Sequence, residues 1–127
     1  MLKDSLYTIK QISNENNIIE AIVELDKTHA IFKGHFPSQP ILPGACMLQM
    51  TKEILEALLH AGLQLLKASE IKFLQMIQPA DAMVLLFSIE YNITEDSVVH
   101  IAAKITRDNA VCYKLKASYK IKPGNSN

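Results

Sequence analysis

The stretch Gly34-His35-Phe36-Pro37-Ser38-Gln39-Pro40-Ile41-Leu42-Pro43-Gly44, followed by the apolar run from Ala45 to about Ala61, sets the architecture of this chain. Three of the five prolines and two of the four glycines fall within these 11 residues, so the loop has little conformational freedom to lose on ordering. In the run behind it, Met47, Met50, Ile54 and Leu58 form one row and Leu48, Leu55 and Leu59 its neighbour, which is helical spacing with a wide apolar face. Pro43-Gly44 opens this helix, and Gly62 is the expected stop, in the left-handed cap conformation. A helix this apolar is expected to be buried along most of its length.

On either side the period changes to two. Tyr113, Leu115, Ala117, Tyr119 and Ile121 alternate with Lys114, Lys116, Ser118, Lys120 and Lys122, as in a strand with one buried face. The same alternation puts Met83, Leu85, Phe87, Ile89, Tyr91 and Ile93 on one face of a second strand, and Val99, Ile101, Ala103 and Ile105 on one face of a third. Thr94-Glu95-Asp96-Ser97 and Arg107-Asp108-Asn109 separate them as turns, which predicts an antiparallel meander. Upstream, Leu6 to Ile12 and Ile18 to Leu25 flank Ser13-Asn14-Glu15-Asn16-Asn17 and read as a β-hairpin. Between helix and meander, Leu63, Leu65 and Leu66 fit an extension of the helix, whereas Ile71, Phe73 and Met76 read as a strand from about Glu70, ending at Gln78-Pro79-Ala80-Asp81. The expected fold is an α+β domain over residues 1–122, one central helix on five or six antiparallel strands, with a frayed tail at 123–127.

The 127 residues carry 13 Lys+Arg and 13 Asp+Glu, and a chain of this length buries about two-thirds of its unfolded surface without disulfides or metal. The balanced charge, with no long run of one sign, argues against a nucleic-acid binder driven by counterion release. Met1 to Leu25 shows no charged-then-apolar leader and no run approaches the roughly 18 apolar residues of a membrane span, so a cytoplasmic protein without membrane contact is expected. Cys46 and Cys112 lack any CxxC spacing and are read as free thiols. His29, His35, His60 and His100 have no metal-ligand spacing, so no metal site is expected.

The chemistry concentrates where the stiff loop meets the helix. A neutral imidazole at His35 can remove a proton near pH 7, and the first amides of a helix can stabilise negative charge on a carbonyl oxygen. Base and oxyanion donor together suit the enolisation of a thioester. Gly34-His35-Phe36-Pro37, then Pro40-Ile41-Leu42-Pro43-Gly44, then an apolar helix, resembles the hot-dog-fold (3R)-hydroxyacyl-[acyl-carrier-protein] dehydratases, most strongly over residues 28–61 and more weakly through Ile71-Lys72-Phe73 and Pro79-Ala80-Asp81.

The resemblance implies a hot-dog fold, a long helix wrapped by a curved antiparallel sheet, in dimers whose sheets join edge to edge, with the active site in a tunnel at the interface. It implies that His35 acts as base at C2 of a 3-hydroxyacyl thioester, that the Gly44 N–H polarises the carbonyl, and that Phe36, Pro37, Pro43, Ala45 and Cys46 surround the acyl group. The substrate would be an acyl-carrier-protein or coenzyme A thioester, the product a trans-2-enoyl thioester, and no cofactor is called for. A homodimer or a trimer of dimers is the expected assembly. The family's second catalytic group, a carboxylate fourteen positions after the histidine, is Gln49 here. An amide hydrogen-bonds a leaving hydroxyl but transfers no proton at neutral pH, and Glu53, one turn further on the same face, is the nearest carboxylate. Two other readings stand beside dehydration: a hot-dog thioesterase, which would use Glu53 to activate water, and a non-catalytic acyl-thioester-binding subunit, for which Gln49 is no defect. Cys46, flanked by apolar residues, reads as a small buried side chain rather than a nucleophile. Lys114, Lys116, Lys120, Lys122 and Arg107 form a solvated face that also suits steering of an acidic carrier protein.

Overall fold

The computed structural model describes residues 1–34 and 40–123. Strands β1 (Tyr7–Glu15) and β2 (Ile18–Leu25) form a hairpin, a four-residue helix α1 (Ile31–Gly34) follows, and then the long helix α2 (Gly44–Leu59). Strands β3 (Leu63–Phe73), β4 (Val84–Ile93), β5 (Val98–Arg107) and β6 (Ala110–Ile121) complete the chain. The five pairings between these strands are antiparallel, in one six-stranded sheet of order β1-β2-β4-β5-β6-β3. Helix α2 therefore carries the chain between β2 and the far edge strand β3, and the expected meander is β4-β5-β6.

Tight turns hold the registers. Asn16 and Asn17 both take positive φ (52° and 58°), as do Asp108 and Asn109 (49° and 65°), the type I′ geometry whose twist matches its flanking strands. The first loop is thus only two residues long, and β1 runs on to Glu15 rather than stopping near Ile12. Inward residues of the sheet, among them Ile19, Ala21, Leu85, Phe87, Val99, Ile105, Leu115 and Tyr119, pack with Met47, Met50, Ile54 and Leu55 of α2 in one buried cluster. Tyr91 and Ile93, expected on that face, lie at the far end of β4: Tyr91 is half-buried, with its hydroxyl paired to Asn14, and Ile93 is exposed.

Two expectations need correction. The left-handed residue that ends α2 is His60 (φ 51°, ψ 43°), and Gly62 does not take positive φ. The helix stops early because β3 begins at Leu63, whose N–H is taken by the Glu56 carboxylate at 2.8 Å. Second, residues 63–69 are strand rather than helix extension, and β3 ends at Phe73. Long β6 pairs along its length, from Leu63↔Ile121 to Phe73↔Tyr113, and that pairing outweighs the helix propensity of a leucine-rich stretch. Register shifts between Leu65 and Lys67 and between Ala68 and Glu70 break the period-2 pattern that would have revealed the strand.

Ile54 is fully buried at the centre of α2. Ile54→Ala is expected to cost about 2–5 kcal/mol, read as a lowered urea midpoint with an unchanged slope.

Candidate functional site

Helix α2 opens without a side-chain cap. Pro43 is its N-cap residue in extended geometry (φ −65°, ψ 148°), no acidic residue stands in the first turn, and Cys46 and Met47 N–H donate to the Pro43 carbonyl at 3.0 and 3.2 Å. The amides of Gly44 and Ala45 precede any intrahelical acceptor and find no acceptor among the described residues, at the positive end of the helix. A bond from Leu42 N–H to the Ile77 carbonyl, 2.8 Å, ties this entrance to the segment that follows β3. Between them lies an apolar cavity of about 370 Å³, lined by Ile41, Leu42, Gly44 and Met47 on one side and residues 73–76 on the other.

The Phe73 ring rests directly on Gly44. A Cβ at position 44 would stand 2.5 Å from Phe73 Cε1 and 2.6 Å from Cζ, distances no real Cβ tolerates, so glycine here makes room for the ring. Phe73 also meets Tyr113, with ring centroids 5.4 Å apart. Tyr113 and Tyr119 are buried with no hydrogen-bond partner for their hydroxyls among the described residues, and burial raises the pKa of both, that of Tyr119 to about 12. The Phe73 contact was not anticipated from sequence, because it joins a strand end to a helix start across the fold.

Gln49 and Glu53 do not line this cavity. Gly44 and Gln49 are five positions apart, about 140° round the helix, so they face different directions. Glu53 is only 2% exposed, and its carboxylate accepts four hydrogen bonds: Leu2 N–H (2.9 Å) and Gln49 Nε2 (2.8 Å) at Oε2, and Lys3 N–H (2.8 Å) and the Tyr7 hydroxyl (2.9 Å) at Oε1. Burial pushes the Glu53 pKa up, but the four donors together outweigh it and hold the carboxyl below its ordinary range. Burial and the bond to Glu53 raise Tyr7 in turn. The N-terminal clamp was missed from sequence, yet a glutamate beside Ile54 and Leu55 on the apolar face signals a buried carboxylate that must find donors.

Of the other expected site residues, Pro43 is half-buried, Ala45 exposed and Cys46 buried, with its thiol pKa pushed up by burial, which suits an inert side chain. His35, Phe36 and Pro37 lie outside the described residues. No helix among the described residues is long and apolar enough to cross a membrane.

The sheet wrapped on one helix is the hot-dog fold. It superposes on the dehydratase heterocomplex ApeI:P from Xenorhabdus doucetiae with a TM-score of 0.68 at 23% identity, covering 89% of this chain and 96% of that one. A hypothetical thioesterase with coenzyme A from Streptococcus pneumoniae TIGR4 shares the fold with a TM-score of 0.67 at 12% identity, covering 98% and 94%. The chain belongs to the ApeI-like family, described as ApeI dehydratase, whose family model matches residues 11–114. Among curated relatives, the 3-hydroxyacyl-[acyl-carrier-protein] dehydratase FabZ of Rickettsia bellii (strain OSU 85-389) is 24% identical over 124 residues, covering 82% of this chain and 74% of the relative. That of Rickettsia typhi (strain ATCC VR-144 / Wilmington) is 29% identical over 76 residues, covering 54% and 52%.

Two predictions follow from this geometry. Gly44→Ala should turn the Phe73 ring away from the helix, seen as loss of the Phe73–Tyr113 cross-peaks in NMR. Its stability should stay within about 1 kcal/mol of wild type, because the better helix propensity of alanine offsets the displaced ring. The pH dependence of stability isolates Glu53. A carboxyl with a lowered folded pKa contributes stability that is fully present above its ordinary value of 4.5 and lost as pH falls through the folded value. Urea denaturation between about pH 6 and pH 3 should therefore show a shallower acid decline in Glu53→Gln than in wild type. Asp26 and Asp96, shifted the same way by hydrogen bonds, are common to both proteins and cancel in the comparison.

Proposed function

We propose that the protein dehydrates a (3R)-hydroxyacyl thioester, carried on acyl carrier protein or coenzyme A, to a trans-2-enoyl thioester in acyl-chain synthesis. The observation that carries this reading is the start of α2, which has no side-chain cap and whose Gly44 lines an apolar cavity, a few residues after His35 in sequence. Family membership and the curated dehydratase relatives support it.

In the proposed reaction the thioester oxygen accepts from the Gly44 N–H while neutral His35 takes the C2 proton. The C2–H electron pair forms the C2=C3 double bond and the C3–O bond breaks. The departing oxygen receives the proton back from the His35 imidazolium and leaves as water, so the histidine ends neutral. Gln49 holds the hydroxyl, and no proton passes through it.

Gly44 and Gln49 face different directions from one helix, so we place them in one site by pairing two copies of the chain. The unpaired outer edge of β3 and the segment after it support a sheet-to-sheet dimer, since Leu66, Ile71, Phe73, Leu74 and Met76 are all exposed apolar residues there. Thioester hydrolysis is the weaker reading, because the carboxylate it needs is buried under four donors. A non-catalytic acyl-thioester-binding subunit is favoured by one feature, the amide at Gln49.

Mass spectrometry of 3-hydroxyacyl-carrier-protein substrates tests the proposal. Wild type should form the enoyl product, and His35→Ala should lose at least about 10² to 10⁴ in rate, the usual contribution of general acid–base catalysis. An inert wild type that gains turnover as Gln49→Glu would instead identify the binding subunit.

A further inference from the structure

A buried ionised carboxylate only accepts hydrogen bonds, so whatever amide faces it must present its nitrogen. Gln49 does so, with Nε2 at 2.8 Å from Glu53 Oε2. Glutamine carries its oxygen at the other end of the same planar group, and Gln49 Oε1 is thereby turned away from Glu53, with no donor to it among the described residues. The carboxylate cannot rotate to release this constraint, because Leu2 N–H, Lys3 N–H and the Tyr7 hydroxyl hold both of its oxygens.

We infer that Glu53 is a positioning residue: it fixes the Gln49 amide so that the carbonyl oxygen alone faces the acyl site, where it accepts the hydrogen of the substrate's 3-hydroxyl. Glu53 itself touches no substrate. This inference rests on the dehydratase reading and adds to it how a glutamine serves at this position. An amide free to flip would offer the hydroxyl a donor half of the time and would pull on the lone pair that must receive the proton from His35. A locked amide leaves that lone pair free and binds a thioester bearing a 3-hydroxyl more tightly than one without it.

The test uses the full chain and two soluble probes, (3R)-hydroxyoctanoyl-N-acetylcysteamine and octanoyl-N-acetylcysteamine, with binding followed by calorimetry and by ¹H–¹⁵N NMR. Wild type should bind the hydroxy thioester about 5-fold more tightly than the deoxy one, the size of one net hydrogen bond. Gln49→Leu and Glu53→Gln should each remove that preference, and Glu53→Gln, which alters no group that touches substrate, should leave the affinity for octanoyl thioester within about 2-fold, a selective loss that a general structural defect would not produce. In wild type without ligand, the Gln49 side-chain NH₂ pair, assigned by its disappearance in Gln49→Leu, should show one hydrogen shifted downfield and slow to exchange. This signal reports the lock directly, even if Glu53→Gln folds poorly. Retention of the 5-fold preference in a folded Glu53→Gln, or a Gln49 NH₂ pair with free-solvent shifts, overturns the positioning role and leaves the dehydratase reading standing. Failure of wild type to bind either thioester overturns both.

Discussion

The fold depends on one reciprocal burial. The inward face of a six-stranded sheet and the apolar face of α2 have only each other to cover them, and each is too apolar to face water alone. Where that helix starts and stops sets the cavity side of the candidate site. Its start puts uncapped amides beside the Phe73–Met76 segment, and its early stop at His60 releases β3 to pair with β6. A helix extended through Leu66, as its leucines invite, would remove the first third of β3 and unpair the last residues of β6.

Glu53 is the polar exception on the buried face, and its presence there needs a physical reason. Removing a carboxylate from water is costly unless its lone pairs are occupied, and here two backbone amides, a tyrosine hydroxyl and a glutamine amide occupy them. The same four bonds join three parts of the chain: the N-terminal segment, β1 and α2. Such a residue couples the seating of residues 2–7 to the side chain one helical turn earlier, at Gln49.

Much of this was legible in the sequence. The period-2 runs of β4, β5 and β6 and the helical rows of Met47, Met50, Ile54 and Leu55 appear because each element has one buried face and an uninterrupted repeat. β3 was hidden for the opposite reason, since two register shifts alter which residues face inward and most of its side chains are exposed. At the candidate site, the glycine opening the helix was legible from the sequence, while Gln49 and Glu53 were singled out through the resemblance, Gln49 at the position of the family's carboxylate and Glu53 as the nearest carboxylate one turn on. The direction of their hydrogen bond was not legible, because it depends on donors from residues 2, 3 and 7, some fifty positions away. The contact of Phe73 with Gly44 belongs to the same class, being set by tertiary packing that no local pattern encodes.

The proposed assignment of roles divides the helix by geometry. Backbone amides are free only in its first turn, so any oxyanion contact must come from Gly44 or Ala45. A side chain that holds the leaving hydroxyl must clear that turn, and Gln49 does, at the cost of facing about 140° away from Gly44. A carboxylate at position 49 could hold the hydroxyl or donate to it according to its protonation. An amide has no such choice, and its two ends differ only in which atom is presented. Selecting the correct end therefore has to be done by a neighbour that accepts and never donates, which is the property a buried, fully hydrogen-bonded carboxylate one turn away supplies.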